Sequence, residues 1–180
     1  MSFPAFHLRP GAADAPFVFT CEHASAAVPE SYAGLGLDPV DRVDHVAWDI
    51  GAATLAERLA AAFAAPLVES ACSRLVIDCN RDVRDHDLIV AETHGVVVPG
   101  NRELDAAERA HRIERYHRPY HDAVDAILTG RPAQTILVSV HSFTPELRGQ
   151  RRALEVGVLY DDRAPLAGRL ADALATTGLV

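Results

Sequence analysis

Two short apolar runs, each ending at a histidine, constrain this chain most. Ala15 to Thr20 (APFVFT) runs straight into CEHAS, and Thr135 to Val140 (TILVSV) delivers His141. Neither run shows the polar-out alternation of a half-exposed strand, so both read as strands buried on two faces. Further strands are expected at Pro66–Glu69, Arg74–Cys79 and Leu154–Tyr160. Between them, Asp49–Ala65 reads as a helix on the spacing of Ile50, Leu55, Leu59 and Phe63. Glu103–Leu128 is the longest helix, kinked or split by Pro119. Arg163–Thr176 is the last. Helices alternating with buried strands predict an α/β fold, a mixed and mostly parallel sheet flanked by helices.

At 180 residues the chain fits one domain, read here as residues 1–180. It stops at Gly178-Leu179-Val180, where a helix, a glycine and then aliphatic residues usually announce another strand, so this domain is expected to be incomplete at its C-terminus. The net charge of -8 gives no general attraction for nucleic acid or an anionic membrane. No apolar stretch approaches the length of a spanning helix, and the start MSFPAFHLRPG lacks the pattern of a secretory signal. The three cysteines, Cys21, Cys72 and Cys79, are too few and too irregular for a zinc finger or a redox pair, which suits free thiols in a reducing compartment. The expected address is the cytoplasm. Homo-oligomerisation stays open.

Ligands of open α/β sheets collect at the carboxyl ends of strands. His23 and His141 each follow such an end directly, so they can converge in one crevice. Two imidazoles and a carboxylate make a three-ligand zinc site with a position left for water. Asp49, which opens a helix and could equally serve as its N-cap, is one choice for the carboxylate. Glu22 is the other, provided the chain turns after the strand, because neighbours in extended backbone point apart.

Arg74, Asn80 and Arg81 form a second constellation, suited to a substrate carboxylate by the guanidinium fork and a directional amide. With Arg74 opening a strand and Asn80-Arg81 closing it, the latter pair is better placed for substrate. Surface ion pairs with Asp78, Asp82 or Asp85 are the plainer explanation. His117 and His121 share a helix face but lack the glutamate of HExxH, so packing is expected for them. Arg148, Arg151 and Arg152 form either a surface loop or a cover over an acidic substrate. Cys21 beside His23 is a weak candidate nucleophile, and no GxSxG elbow is present.

The stretches FTCEHASAAVPESY, HVAWDIGA, SRLVIDCNRD, ERYHRPYHDAV and ILVSVHSFTP resemble the N-formylglutamate amidohydrolase family, over residues 17 to 160. The resemblance implies a zinc carboxypeptidase-like (phosphorylase/hydrolase-like) α/β fold and a zinc-dependent hydrolysis of N-formyl-L-glutamate to formate and L-glutamate. It implies His23 and His141 as metal ligands, with Asp49 or Glu22 as the acidic one. Asn80-Arg81 is similar to the pair with which zinc carboxypeptidases hold a substrate carboxylate. The family's PHSG-type segment is CEHAS here, and the strand that carries its general base has no counterpart, which leaves Glu22 as the candidate for that role. The expected partner is a small molecule bearing a carboxylate. A carboxypeptidase or peptidoglycan-type amidase, and a non-catalytic anion-binding protein, are the competing readings.

Overall fold

The run after Ala15 becomes an inner strand of a four-stranded sheet. The computed structural model describes residues 3–147, 149–160 and 165–179. Contacts divide the chain into a larger unit, Met1–Ser142, and a smaller one, Phe143–Val180. The larger unit runs β1 (Phe6–Arg9), β2 (Phe17–Cys21), α1 (Ala52–Ala62), β3 (Leu67–Ser70), β4 (Glu92–Thr93), β5 (Val96–Val97), α2 (Ala106–Arg112), α3 (Arg118–Leu128) and β6 (Ile136–Ser139). The sheet order is β1-β3-β2-β6. β2 lies parallel to both neighbours, and β1 is antiparallel on β3.

The pleat sorts this sheet's side chains between two helices. Phe19 sits beside Leu67 on one side and Val138 on the other, and these face α1. One residue on, Thr20 sits beside Val68, and Val68 packs with Tyr120 and Val124 of α3. Both faces of the inner strands β2 and β3 are therefore covered, whereas β6, expected to be buried on two faces as well, lies at the sheet edge with alternating burial and Leu137 47% exposed.

α1 meets the sheet through a face centred on its alanines, away from Ile50 and Leu55. Ile50, Leu55 and Phe63 are about half exposed, whereas Ala52, Ala56 and Ala60 are buried. Alanines at i, i+4 and i+8 leave room for the helix axis to approach the sheet closely, while Leu59 packs at the flank of the same cluster and the Phe63 ring meets that of Phe17 at 4.7 Å between centroids. The helix also begins later than Asp49. Its N-cap is Gly51 at φ 86°, a left-handed conformation that glycine takes without strain. Asp49 is thereby released from the capping role expected of it.

Arg74–Cys79 is not a strand. Val76 N–H donates to Ser73 O, Leu75 N–H to the Ser73 hydroxyl, and Asp78 N–H to Leu88 O, so the segment is a series of turns. Leu75, Val76 and Ile77 are all buried, in a cluster with Leu88, Val98 and Tyr116. An apolar run reads alike whether it is buried in a strand or inside a knot of turns. Side chains replace the missing ladder. Asn101 Nδ2 donates to Leu75 O and Val90 O at 2.8 Å each, and Arg112 Nη1 donates to Val76 O and to Asn101 Oδ1.

The long helix is split, as Pro119 requires, but the break lies before the proline. Proline cannot donate to the carbonyl four residues back and crowds it. The backbone answers with a π-turn over Ile113–His117, whose Arg118 N–H bonds to Ile113 O. Such a turn shifts the helix face by one residue. Tyr116, His117, Tyr120 and Val124 all become buried.

In the smaller unit a hairpin, β7 (Glu146–Leu147) and β8 (Gln150–Arg151), precedes α4 (Pro165–Ala175). The strand expected at Leu154–Tyr160 is irregular: it pairs with no strand among the described residues, and Leu159 is 94% exposed. Of the basic run, Arg148 lies outside the described residues. Arg151 and Arg152 are exposed, with the Arg152 guanidinium over the Phe143 ring. Among the described residues no helix is long and apolar enough to cross a membrane.

Candidate metal centre

β2 ends at Cys21, and the chain turns through Glu22 and His23. The turn frees both residues from the alternation of the strand, so both reach the same side of the sheet edge. β6 ends at Ser139 and delivers His141 two residues on. Asp49 is brought in by its own backbone, whose N–H donates to His23 O at 3.0 Å. One donor atom from each of His23, Asp49 and His141 lies within 4.8 Å of the others.

The two imidazoles are arranged alike. His23 turns Nδ1 toward Asp49 Oδ1 at 3.4 Å, and its Nε2 meets Asp78 Oδ1 at 2.7 Å. His141 turns Nδ1 toward Asp49 Oδ2 at 2.8 Å, and its Nε2 faces Glu22 Oε2 at 3.2 Å and Ser139 Oγ at 3.0 Å. Each ring thus offers one nitrogen to the shared carboxylate and has the other held by a further carboxylate. In histidine metal sites an outer carboxylate of this kind fixes the tautomer and raises the basicity of the ligand.

The outer carboxylates are themselves held. Glu22 accepts from Tyr120 OH at 3.0 Å and from Ser139 Oγ at 2.5 Å. Asp78 accepts from Arg74 Nη2 at 3.0 Å and from Asn80 N–H at 2.8 Å. Arg74 also reaches inward, with Nη1 3.3 Å from His23 Nδ1 and 3.6 Å from Asp49 Oδ1. Ser142 N–H donates to Asp49 Oδ2 at 3.2 Å.

The electrostatics follow from this packing. Burial alone would raise the Glu22 carboxyl, but hydrogen bonds from His141 and Ser139 pull it down to about 2. Burial opposes ionisation of Asp49 too, and His141 and His23 hold it below the ordinary carboxylate range. His141 is raised to about 9 by Asp49 and then Glu22. His23 is raised as well, since Asp49 and Asp78 outweigh its burial. Three carboxylates face one guanidinium and two imidazoles in a nearly closed space. Two nitrogen donors with one oxygen donor are a set that zinc accepts, and a divalent cation held there would take the place of the imidazole protons.

The structure brings together His23, Asp49, His141, Glu22 and Arg74 from the sequence candidates. Arg74 stands against the cluster because its segment turns; a strand would have carried it away, so the preference for Asn80-Arg81 over Arg74 is reversed as far as contact with the cluster goes. Asn80 and Arg81 have exposed side chains on the turn that Asp78 opens, where Arg81 N–H donates to Asp78 O. Tyr120, which the sequence allows as a pocket-lining residue, reaches the centre through Glu22, whereas Asp78 and Ser139 were missed as parts of it. Asp78 had a signal: a lone carboxylate inside LVIDC must be paired if the run is buried. Cys21, Cys72 and Cys79 are buried and unpaired, and burial pushes the Cys21 thiol up to about 12, which removes it as a nucleophile.

Known proteins share this fold. A crystal structure of a gene product from Agrobacterium tumefaciens is 36% identical, with a TM-score of 0.92 over 98% of this chain and 71% of that one. The crystal structure of N-formylglutamate amidohydrolase from Ralstonia eutropha JMP134 is 24% identical, with a TM-score of 0.50 over 72% of this chain and 52% of that one, a likeness of fold. This chain thus spans about seven tenths of the first and half of the second. No curated protein matches it. The profile of the N-formylglutamate amidohydrolase family matches residues 15–180, and the chain belongs to that family.

Proposed function

We propose that this chain is a zinc-dependent amidohydrolase that removes the formyl group from N-formyl-L-glutamate, releasing formate and L-glutamate, with His23, Asp49 and His141 holding the metal. One observation carries the reading: both imidazoles give one nitrogen to Asp49 and have the other held by a carboxylate, in a chain of this family. Zinc in such a set supplies an acidified water and a Lewis acid for a carbonyl.

The chain's own groups do the rest. Asp78 keeps a proton on His23 Nε2 and so leaves Nδ1 free to bind. Glu22 does the same for His141 at Nε2. The role given to Glu22 changes accordingly. A proton acceptor needs an open lone pair, whereas Glu22 is engaged by three donors. Its part is to orient His141. Arg74, the guanidinium next to the cluster, is suited to the oxyanion that develops on the formyl carbonyl. Asn80 and Arg81 are suited to the glutamate carboxylate, one turn from Asp78. That pair also supports the finer likeness to the zinc carboxypeptidase fold. The unpaired thiols suit a cytoplasmic address.

The test is formate release from N-formyl-L-glutamate by zinc-loaded protein, side by side with N-acetyl amino acids and C-terminal peptides. Formate release that depends on zinc and is lost in His23→Ala supports the reading. Protein that binds zinc and cleaves only the peptides overturns it.

A further inference from the structure

His117 and His121 lie one turn apart at the start of α3, with ring centroids 4.3 Å apart. His117 Nε2 meets the Arg81 carbonyl at 2.9 Å, and His121 Nε2 meets the Cys79 carbonyl at 3.0 Å. A carbonyl oxygen only accepts, so both rings carry a proton on Nε2 and donate it. Both Nε2 donors are therefore taken up by the backbone of one loop. Burial lowers the pKa of His117, with the Arg81 carbonyl opposing, which keeps this donor neutral.

The two acceptors bracket Asn80. From the other side the same turn is closed by Arg81 N–H on Asp78 O and Asn80 N–H on Asp78 Oδ1. Asp78 is in turn fixed by His23 and Arg74. The backbone of Asp78–Arg81 is thus pinned by α3 on one side and by the metal centre on the other, while the Asn80 and Arg81 side chains stay exposed. The π-turn before Pro119 is what brings His117 round to this loop.

We propose that His117 and His121 are positioning residues that hold the Asp78–Arg81 turn so that Asn80 and Arg81 present a preformed carboxylate clamp at a fixed distance from the metal centre. The inference rests on the reading of Asn80 and Arg81 as that clamp. A preformed clamp avoids the cost of ordering a loop at each binding event. Its loss weakens binding of substrate and transition state alike, so KM changes more than kcat.

The experiment uses zinc-loaded protein and N-formyl-L-glutamate. His117→Phe keeps a ring against His121 but removes the donor. Its KM is expected to rise about tenfold, the worth of one lost hydrogen bond to a part-buried carbonyl. Its kcat should change less than about twofold, with zinc content unchanged. His117→Gln places an amide nitrogen near the position of Nε2 and should recover KM to within about threefold. His121→Phe and His121→Gln should behave in the same way. If the Phe variants do not fold, His117→Asn, too short to reach Arg81 O, takes their place. In an Arg81→Ala background the Phe change should move KM less than about twofold, because the clamp it positions is gone. An equal rise in both backgrounds, a loss confined to kcat or zinc, or equal impairment by Phe and Gln overturns the inference. Arg81→Ala alone separates the two levels. If it leaves KM unchanged, the clamp itself is refuted; if it raises KM while His117→Phe does not, the positioning role alone is refuted.

Discussion

At the scale of residues, the centre is built from carboxylates that each serve a histidine. Asp49 meets both rings from inside, while Asp78 and Glu22 hold them from outside. Removing an inner donor should abolish tight zinc binding, whereas loosening an outer one should only weaken it. Asp78→Asn and Glu22→Gln are expected to lower zinc affinity about 10- to 100-fold, against complete loss in His23→Ala or Asp49→Ala, as read by competition with a chromogenic chelator. Equal loss in all four would show that Asp78 or Glu22 is itself a ligand. The same contacts fix the response to pH. His141, raised to about 9, contributes stability that is whole below its ordinary value of 6.5 and is lost as pH rises through 9. Glu22, lowered to about 2, contributes stability present above its ordinary 4.5 and lost as pH falls through 2. Zinc-stripped protein should therefore melt highest between those ordinary values and progressively lower toward pH 9. Zinc, which takes the place of the imidazole proton, should flatten that alkaline limb. A melting temperature of stripped protein that climbs between pH 6.5 and 9 would refute the assignment.

At the scale of elements, what was legible in the sequence depended on who the neighbours are. β2 was readable because a strand covered on both faces lacks polar-out alternation, and β6 because its apolar run marks a strand although Leu137 and Ser139 are exposed at the sheet edge; their ends located His23 and His141. The turns from Arg74 to Cys79 were not, because their hydrogen bonds go to Ser73, Leu88, Asn101 and Arg112, partners set by tertiary contact alone. α1 was found but its face was centred wrongly at Ile50 and Leu55, since periodicity cannot say whether alanines or leucines meet the sheet when both recur at helical spacing. This yields a prediction. Ala56 is fully buried against the sheet, and Leu55 is about half exposed. Ala56→Leu should cost about 1–3 kcal/mol by overpacking, and Leu55→Ala no more than about 0.5 kcal/mol, as measured by urea unfolding. The reverse order of the two would restore the leucine face as the core face.

At the scale of the whole molecule, the three inner donors come from the end of β2, the loop before α1 and the end of β6, at positions 23, 49 and 141. No short segment can assemble them. A metal bound there joins the sheet end to the α1 loop across most of the larger unit, Met1–Ser142. The unfolded chain lacks this arrangement, so binding energy becomes folding energy. At free zinc about 100-fold above the dissociation constant the gain is about 2.7 kcal/mol. For a chain of this size that raises the melting temperature by about 5–10 °C. The shift should vanish in His23→Ala and His141→Ala, and it should persist in Arg81→Ala, whose side chain stands outside the donor set. Calorimetry of each protein with zinc and with a chelator checks this. A shift that survives both histidine replacements would place the zinc elsewhere, and the hydrolase reading would then lose its metal.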